Sequence, residues 1–442
     1  MKILPIVLAV LAVATAIPAW FVDKAPNVVP ELEDKYIGIE LEFADAAEVR
    51  SLGDDVGKIR VVTWDKAETT MIEVVQKDGA WQIASRLDYP ADGANKVGET
   101  AGQVLGLRKL RLVTDDTAAH VKLGVVDPLD SNADDEGRGQ RATLWDGGDK
   151  VLVDVIIGGM VDDSPGQRYV READSAAVYT AQVSGSLSAK FIDWVEPNPF
   201  DLEADHVLRA MVENYSIDET AGTQEMRFQA VLKRNDKDAN WTSDQTPGDK
   251  VVDDGAIDSI VGKVADLRLA NVAMRRGLGA AQLSQLGIFV TEQGVFGNEG
   301  VLRLSSNLGY TYHLFFGEVT GSATSTGDDS ASADADRIMA VWVSYAEQDD
   351  TSLPVVAPES APPAEGEEVN AEAAKQAAAK RAQQLKQRAE HVASRQKTVE
   401  QLNVKYADYF YVIRDADFQA LRPEAGKLFT DPPKEDDAAA DE

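Results

Sequence analysis

Few residues of this chain are equipped for covalent or acid–base chemistry, and their spacing limits what they can do. The four histidines, His120, His206, His313 and His391, lie far apart without an i, i+4 partner. No helix face therefore offers two imidazoles to one metal ion. Cysteine is absent, which excludes disulfides, thiolate nucleophiles and sulfur-ligated zinc or iron–sulfur centres. No Gly-x-Ser-x-Gly elbow, phosphate-binding loop or kinase signature occurs. Gly277-Leu278-Gly279 is half a dinucleotide fingerprint, without its third glycine or its strand-to-helix context. Carboxylates abound, and Asp130, Asn132 and Asp134 have the alternate spacing of hard oxygen ligands in a calcium loop. Asp135 and Arg141 stand where such a loop needs Gly and Glu, so the three are weak calcium candidates. Asp328–Asp336 is a similar acidic loop. No other metal and no cofactor is expected. No carboxylate pair is set off for general acid–base work, so the chain reads as non-enzymatic.

The clearest candidate for recognition is a basic stretch. Lys375, Lys380, Arg381, Lys386, Arg388, Arg395 and Lys397 face a single acid, Glu390, in a chain of formal net charge −31. Strong helix formers from Asn370 to Asn403 predict one long helix. Leu385, Ala389, Val392, Val399 and Leu402 give it a thin heptad seam. Lys380, Arg381, Leu385, Arg388, Val392 and Arg395 are the candidate partner-binding residues. The helix can pair with another helix, or its basic face can settle on an acidic body, this protein's own or a partner's. The acidic surface elsewhere repels phosphate backbones, so nucleic acid is not an expected partner.

The elements that hold these residues occur twice. Trp81 and Trp241 each end a hairpin, and Leu107-Arg108 and Leu267-Arg268 each close a helix, both pairs 160 residues apart. Val97, Thr100, Ala101, Val104 and Leu107 form one helical stripe. Ile257, Ile260, Val261, Val264 and Leu267 repeat it. Both tryptophans are expected as core anchors. Leu123-Gly124-Val125 and Leu286-Gly287-Ile288 follow, then strands leading to Gly158 and Gly317. Strands are also expected at Gly38–Phe43, Lys58–Trp64, Met71–Val75, Arg168–Arg171, Ala177–Thr180, Ile338–Tyr345 and Tyr409–Ile413. Leu187–Val195 and Phe418–Phe429 are expected as short closing helices. The strand at Tyr409–Ile413 is matched to Val178-Tyr179-Thr180, which places the long helix as a late insertion in the second copy.

Lys2 precedes twenty uncharged residues, Ile3–Val22, with Trp20 and Phe21 at the outer end. That run is long enough to span a bilayer and reads as an anchor with the remainder outside. Ala14-Thr15-Ala16 offers a cleavage site, the alternative being a signal peptide. Both readings export the chain.

Gly79-Ala80-Trp81-Gln82-Ile83, Tyr89-Pro90-Ala91-Asp92, Leu123–Pro128, Ile157-Gly158-Gly159, Tyr169-Val170-Arg171 and Val178-Tyr179 occur in this order. That series resembles the DUF4340 domain family, whose members are usually membrane-anchored. Tyr406–Ile413 resembles the ending of longer, two-copy members from planctomycete-like bacteria. The resemblance covers most of 35–200 and, more loosely, 210–430. It implies an extracytoplasmic accessory of ABC-type, gliding-like transport systems, and it brings no catalytic residue.

The expected architecture is α+β: two tandem copies of a mostly antiparallel sheet with covering helices. Its parts are an anchor (1–23), a spacer (24–34), a first domain (35–200) and a second (205–430). A linker (349–368) and the long helix (370–403) are inserted in the second, and an acidic tail (431–442) follows. The expected role is a membrane-anchored scaffold within a membrane-protein complex. The alternative is an extracytoplasmic binding module for a glycan, a peptide or a calcium-dependent ligand.

Overall fold

The computed structural model describes residues 36–39, 46–65, 68–185, 187–196, 198–218, 221–274, 278–291, 294–319, 336–358 and 371–432. The run Ile3–Val22, the spacer, residues 40–43, the acidic loop from 328 to 335, residues 359–368 of the linker and the tail from 433 lie outside the described residues. No helix among the described residues is long and apolar enough to cross a membrane.

The chain is a mixed α/β structure with large antiparallel sheets, in two compact units. Unit 1 comprises Met1–Gln76 and Val97–Ala189; unit 2 comprises Lys77–Lys96 and Lys190–Glu442. Residues 77–96, read from the sequence with the first domain, count with unit 2 for a packing reason. The Tyr89 ring meets Tyr409 and Phe191 edge-on at 5.0 and 5.5 Å, and Asp92 N donates to Trp194 O at 2.7 Å.

In chain order, α1 (Ala46–Asp55), β1 (Val56–Asp65) and β2 (Glu68–Lys77) come first. The short arm β3 (Ala80–Ile83) and β4 (Tyr89–Pro90) follows. Then come α2 (Gly98–Leu105), β5 (Arg111–Thr114), α3 (His120–Leu123), β6 (Gln140–Asp146), β7 (Val151–Met160), β8 (Gln167–Glu172) and β9 (Val178–Gln182). Unit 2 continues with β10 (Val207–Asp218), β11 (Thr223–Lys233), β12 (Val251–Val252), α4 (Asp254–Ala265), β13 (Asn271–Met274) and α5 (Ala280–Gln285). Next are β14 (Ile288–Thr291), β15 (Gly294–Gly297), β16 (Val301–Ser306), β17 (Leu308–Val319) and β18 (Arg337–Asp350). The long helix α6 (Ala371–Ala407), β19 (Tyr409–Ile413), α7 (Asp415–Leu421), α8 (Ala425–Leu428) and β20 (Phe429–Thr430) complete it.

Within unit 1 the strands lie in the order β2-β1-β6-β7-β8-β9-β5, and in unit 2 β11-β10-β16-β17-β18-β19-β13. Taken in chain order, the two series are the same. The registers agree as well. Ile157 pairs with Val170 and Met160 with Arg168 across a bulge; Phe316 pairs with Met339 and Val319 with Arg337 across another. Tyr179 lies between Val170 and Leu112, as Tyr411 lies between Met339 and Val272. At the bulges, Arg168 Nε donates to Gly158 O at 2.8 Å and Arg337 donates to Gly317 O at 3.1 Å.

Matching positions fill the cores. Leu123, Val125, Ile156 and Val178 cluster in unit 1, with Val113 and Tyr169 against them. Ile288, Phe315 and Phe410 cluster in unit 2, with Ile338 and with Leu286 and Ala273 at the positions equivalent to Leu123 and Val113. Both helical stripes are inside: all ten of their residues are buried. Asp253 caps α4 by accepting from Ala256 N at 3.0 Å, and Asp92 accepts from Asn95 N at the same distance ahead of α2.

Some expectations fail locally. Trp241 is buried, its Nε1 donating to Asp258 at 3.0 Å under the Arg234 guanidinium. Trp81 is only half-buried, against the glycine backbone at Gly93. Leu187–Val195 is not a helix beyond the single turn Phe191–Asp193. Leu187, Ala189 and Phe191 are all buried, a spacing of two that favours extended chain. Phe418–Phe429 is two short helices rather than one, and β18 runs on to Asp350, into the expected linker.

Candidate functional site

The calcium candidates sit on a loop that a side chain has already filled. Val126 N donates to Gly137 O and Gly139 N to Val126 O, closing the loop at its base. Gly137 has φ +75°, and a Cβ there would come within 2.3 Å of Val121 O, so glycine is required. Asp130 Oδ1 accepts from Asn132 N at 2.9 Å and Asp127 Oδ1 from Leu129 N at 2.9 Å. Inside, the Arg138 guanidinium donates to Asp134 O (3.1 Å), Pro128 O (3.2 Å) and Ala133 O (2.5 Å), and stacks 4.3 Å over Trp64. Carbonyls that would converge on an ion in a calcium loop converge here on a guanidinium. Arg138 thus takes carbonyls of the loop that carries Asp130, Asn132 and Asp134. Among the described residues no group of three His, Cys, Asp or Glu is arranged to hold a metal.

Beside this loop, unit 1 carries a cleft of about 610 Å³ whose lining includes Leu52, Arg141, Lys150, Asp154, Glu172 and Asp174. Adjacent strands build its wall. Arg141 from β6 grips Asp154 from β7 with two hydrogen bonds (2.9 and 2.6 Å) and reaches Asp127 at 2.7 Å. Thr143 Oγ1 donates to Asp154 Oδ1 at 3.0 Å. The hydrogen bond to Asp154, with the nearby carboxylates, holds the Arg141 pKa above its ordinary value. Glu172 is paired with Lys109 at 2.7 Å. Carboxylates engaged in this way make a wall of charge fixed by its own ion pairs.

Arg171, also on β8, is 7% exposed. It donates to Val125 O (2.8 Å), Glu172 O (3.1 Å), Ala173 O (2.8 Å) and Ser175 O (3.2 Å). Burial pulls its pKa down from the ordinary arginine value. Nothing in the sequence pattern marks Arg141, Asp154, Arg171 or Glu172 for its charge. A charged residue at an inward strand position was the available signal.

The partner-binding candidates on α6 divide by face. Arg388 pairs with Glu347 at 2.8 Å. Arg395 pairs with Asp350 at 3.4 Å and lies 5.6 Å over the Tyr310 ring. Arg381 and Val392 are half-buried, whereas Lys380 and Leu385 are exposed. Asn403 imitates a strand: its side chain accepts from Val343 N at 2.8 Å and donates to Val343 O at 2.7 Å, clamping α6 beside β18. Upstream of Arg381 the helix is exposed on every side from Glu372 to Lys380.

The histidines stay apart. His120 Nε2 meets Ala176 O at 3.0 Å, His206 sits 3.2 Å from Glu203, and His391 Nδ1 meets Gln387 O at 2.8 Å. His313 lies on the face of the unit 2 sheet. Arg303 Nε donates to its Nδ1 at 3.2 Å, so its Nε2 carries the hydrogen toward Ser344 Oγ at 2.9 Å. Burial, then Arg303, lowers its pKa from 6.5 to about 4. The unfolded chain takes up this proton below about 6.5 and the folded chain only below about 4, so stability is expected to fall as pH drops through that window. Comparing His313→Gln with the parent by urea titration from pH 7 to 4 checks this: the variant should lose less stability. Equal acid slopes would contradict it.

The model of the family described as "Domain of unknown function (DUF4340)" matches residues 81–288, just under half of the chain. The span runs from Trp81 through the core motifs of unit 1 to Ile288, the counterpart of Val125 in unit 2. No curated protein and no solved structure matches the chain. Residues 81–288 are thus similar to the DUF4340 family.

Proposed function

We propose that this chain is a non-catalytic, membrane-anchored extracytoplasmic scaffold of a transport-type membrane complex, built from two copies of one fold. The observation that carries the reading is the identical series of seven strands in the two units, with α6 placed between β18 and β19 of the second. Duplication gives two sheets, and the insertion gives one of them a rod. The rod's exposed start is the docking element, with Lys375, Lys380 and Lys386 outward. The membrane location rests on Ile3–Val22 and the link to ABC-type transport on the family resemblance.

Charge reversal at Lys375, Lys380 and Lys386, each to Glu, is expected to abolish co-purification of membrane partners with the full chain. The melting temperature should hold within about 2 °C, because exposed substitutions of this kind cost little. Undiminished co-purification would count against α6 as the docking element.

The cleft beside Arg141 favours a second reading, an extracytoplasmic binding module for a polar ligand such as a glycan or peptide. In that case a cell-wall fragment raises the melting temperature of the full chain, and Lys150→Glu removes the shift while the α6 reversals leave it intact.

A further inference from the structure

We propose that a pocket of unit 2, between β17 and the last third of α6, binds one neutral sugar ring. The inference rests on the second reading above, that of a binding module, and gives the ligand a place apart from the cleft beside Arg141. Alternation along β17 puts Tyr310 and Tyr312 on one face of the strand, and both line the pocket. Thr398 and Leu402, one helical turn apart, line it from α6. Asn403 fixes that turn of the helix by its two hydrogen bonds to the Val343 backbone. The segment ahead of β10 adds Asp201 and Glu203, whose carboxylates are largely exposed. The volume is about 140 Å³. Pockets for drug-sized ligands begin at about 300 Å³, so the space suits a single small ring.

The feature that points to a ligand lies at the buried end. Leu302, Leu304 and Ser306 alternate on the inner face of β16, and the series of buried leucines ends in a serine. Ser306 is 6% exposed and lines the pocket, and its Oγ has no hydrogen-bond partner among the described residues. A buried hydroxyl left in that state is unfavourable unless a ligand satisfies it. The charges around the pocket select a neutral ligand. Asp201 lies 3.7 Å from Lys405 Nζ and Glu203 lies 3.2 Å from His206 Nδ1. Arg395 stands 5.6 Å from the Tyr310 ring centre. A cationic ligand would meet Lys405 and Arg395, and an anionic one the two carboxylates. A sugar ring avoids both conflicts. Its hydroxyls donate to the carboxylates and to Ser306 Oγ, and its C–H faces lie against the tyrosine rings and Leu402. Tyr312 offers a hydroxyl that stays protonated, because burial and then Asp201 push its pKa above the ordinary tyrosine value.

Calorimetric titration of the full chain with glucose, galactose and N-acetylglucosamine tests this, and at least one of the three is expected to bind. Ser306→Ala should weaken that sugar about five- to tenfold, the worth of one hydrogen bond. Its melting temperature should equal or exceed the parent's, because the substitution deletes a hydroxyl that has no partner in the free chain. Thr398→Trp fills the pocket from the helix and should abolish binding, whereas Lys150→Glu, in the other cleft, should leave it intact. Binding unchanged in either folded pocket variant overturns the inference, as does binding of the cation spermidine in place of every sugar. Failure of all three sugars overturns it too. If a cell-wall fragment still raises the melting temperature in that case, the binding-module reading stands without this pocket.

Discussion

Gly158→Ala and Gly317→Ala are expected to destabilise the chain by similar amounts, about 3 kcal/mol each, because an added methyl meets backbone that cannot swing away. A Cβ at Gly158 would lie 2.5 Å from Leu123 O and 2.5 Å from Val125 Cγ1. At Gly317 it would lie 2.3 Å from Leu286 O and 3.2 Å from Ile288 Cδ1. Each glycine therefore lets a Leu-Gly turn lie directly on the strand beneath it. The turns are themselves alike, with Gly124 at φ +70° and Gly287 at φ +69°. Urea titration of each variant measures the loss. A cost below about 1 kcal/mol at either site would mean that the close approach is not tight. A large cost at one site only would argue that the two positions are not equivalents, and the two-copy reading would lose its main support.

The second large effect is expected at Arg171. Removing its side chain by Arg171→Ala takes a donor from the carbonyls of Val125, Glu172, Ala173 and Ser175, of which Glu172 O keeps Ser175 N at 3.1 Å. Buried acceptors without partners cost about 1–3 kcal/mol each, partly relieved where water enters, so a total of about 3 kcal/mol is expected. Arg171→Lys should recover less than half of that, since an ammonium cannot present the planar fork that reaches four oxygens. Calorimetric melting of both variants decides the matter. Full recovery by lysine would show that charge, and not the geometry of the fork, holds this turn. The same device recurs at Arg138 and at Arg234, which donates to Val207 O at 2.9 Å, Lys237 O at 3.0 Å and Ala204 O at 3.3 Å. Irregular loops in this fold are organised around arginines, as other proteins organise them around ions.

The helical stripes could be read directly because burial follows their period. Val97 to Leu107 and Ile257 to Leu267 face one side only, so the pattern survives in one dimension. The middle strands were harder. β10, β6 and β16 do not stand out in the sequence pattern, although their neighbours β1, β7 and β17 do. Their outer faces carry charged residues that are half-buried and paired, such as Arg303 with Glu213, so polar and apolar positions do not alternate cleanly. Residue type does not show the counterpart of Tyr169-Val170 in the second half. Register supplies it as Ile338-Met339, since a strand position is defined by what lies across from it. The candidate site divides in the same way. The basic character of α6 was plain, but not that Arg388 and Arg395 would turn toward β18.

By itself, then, the sequence determined the class of structure, the recurrence of its helices and tryptophans, and the family that residues 81–288 resemble. Periodicity and composition are local properties, and local properties are written along the chain. Tertiary structure alone decided which charges are spent. It closed Arg138 into the loop of Asp130, Asn132 and Asp134, locked Arg141 between Asp127 and Asp154, and grouped residues 77–96 with unit 2. The physical reason is that a hydrogen bond or ion pair depends on distances of about 3 Å between residues remote in sequence. Spacing along the chain does not encode those distances until the strands are laid side by side.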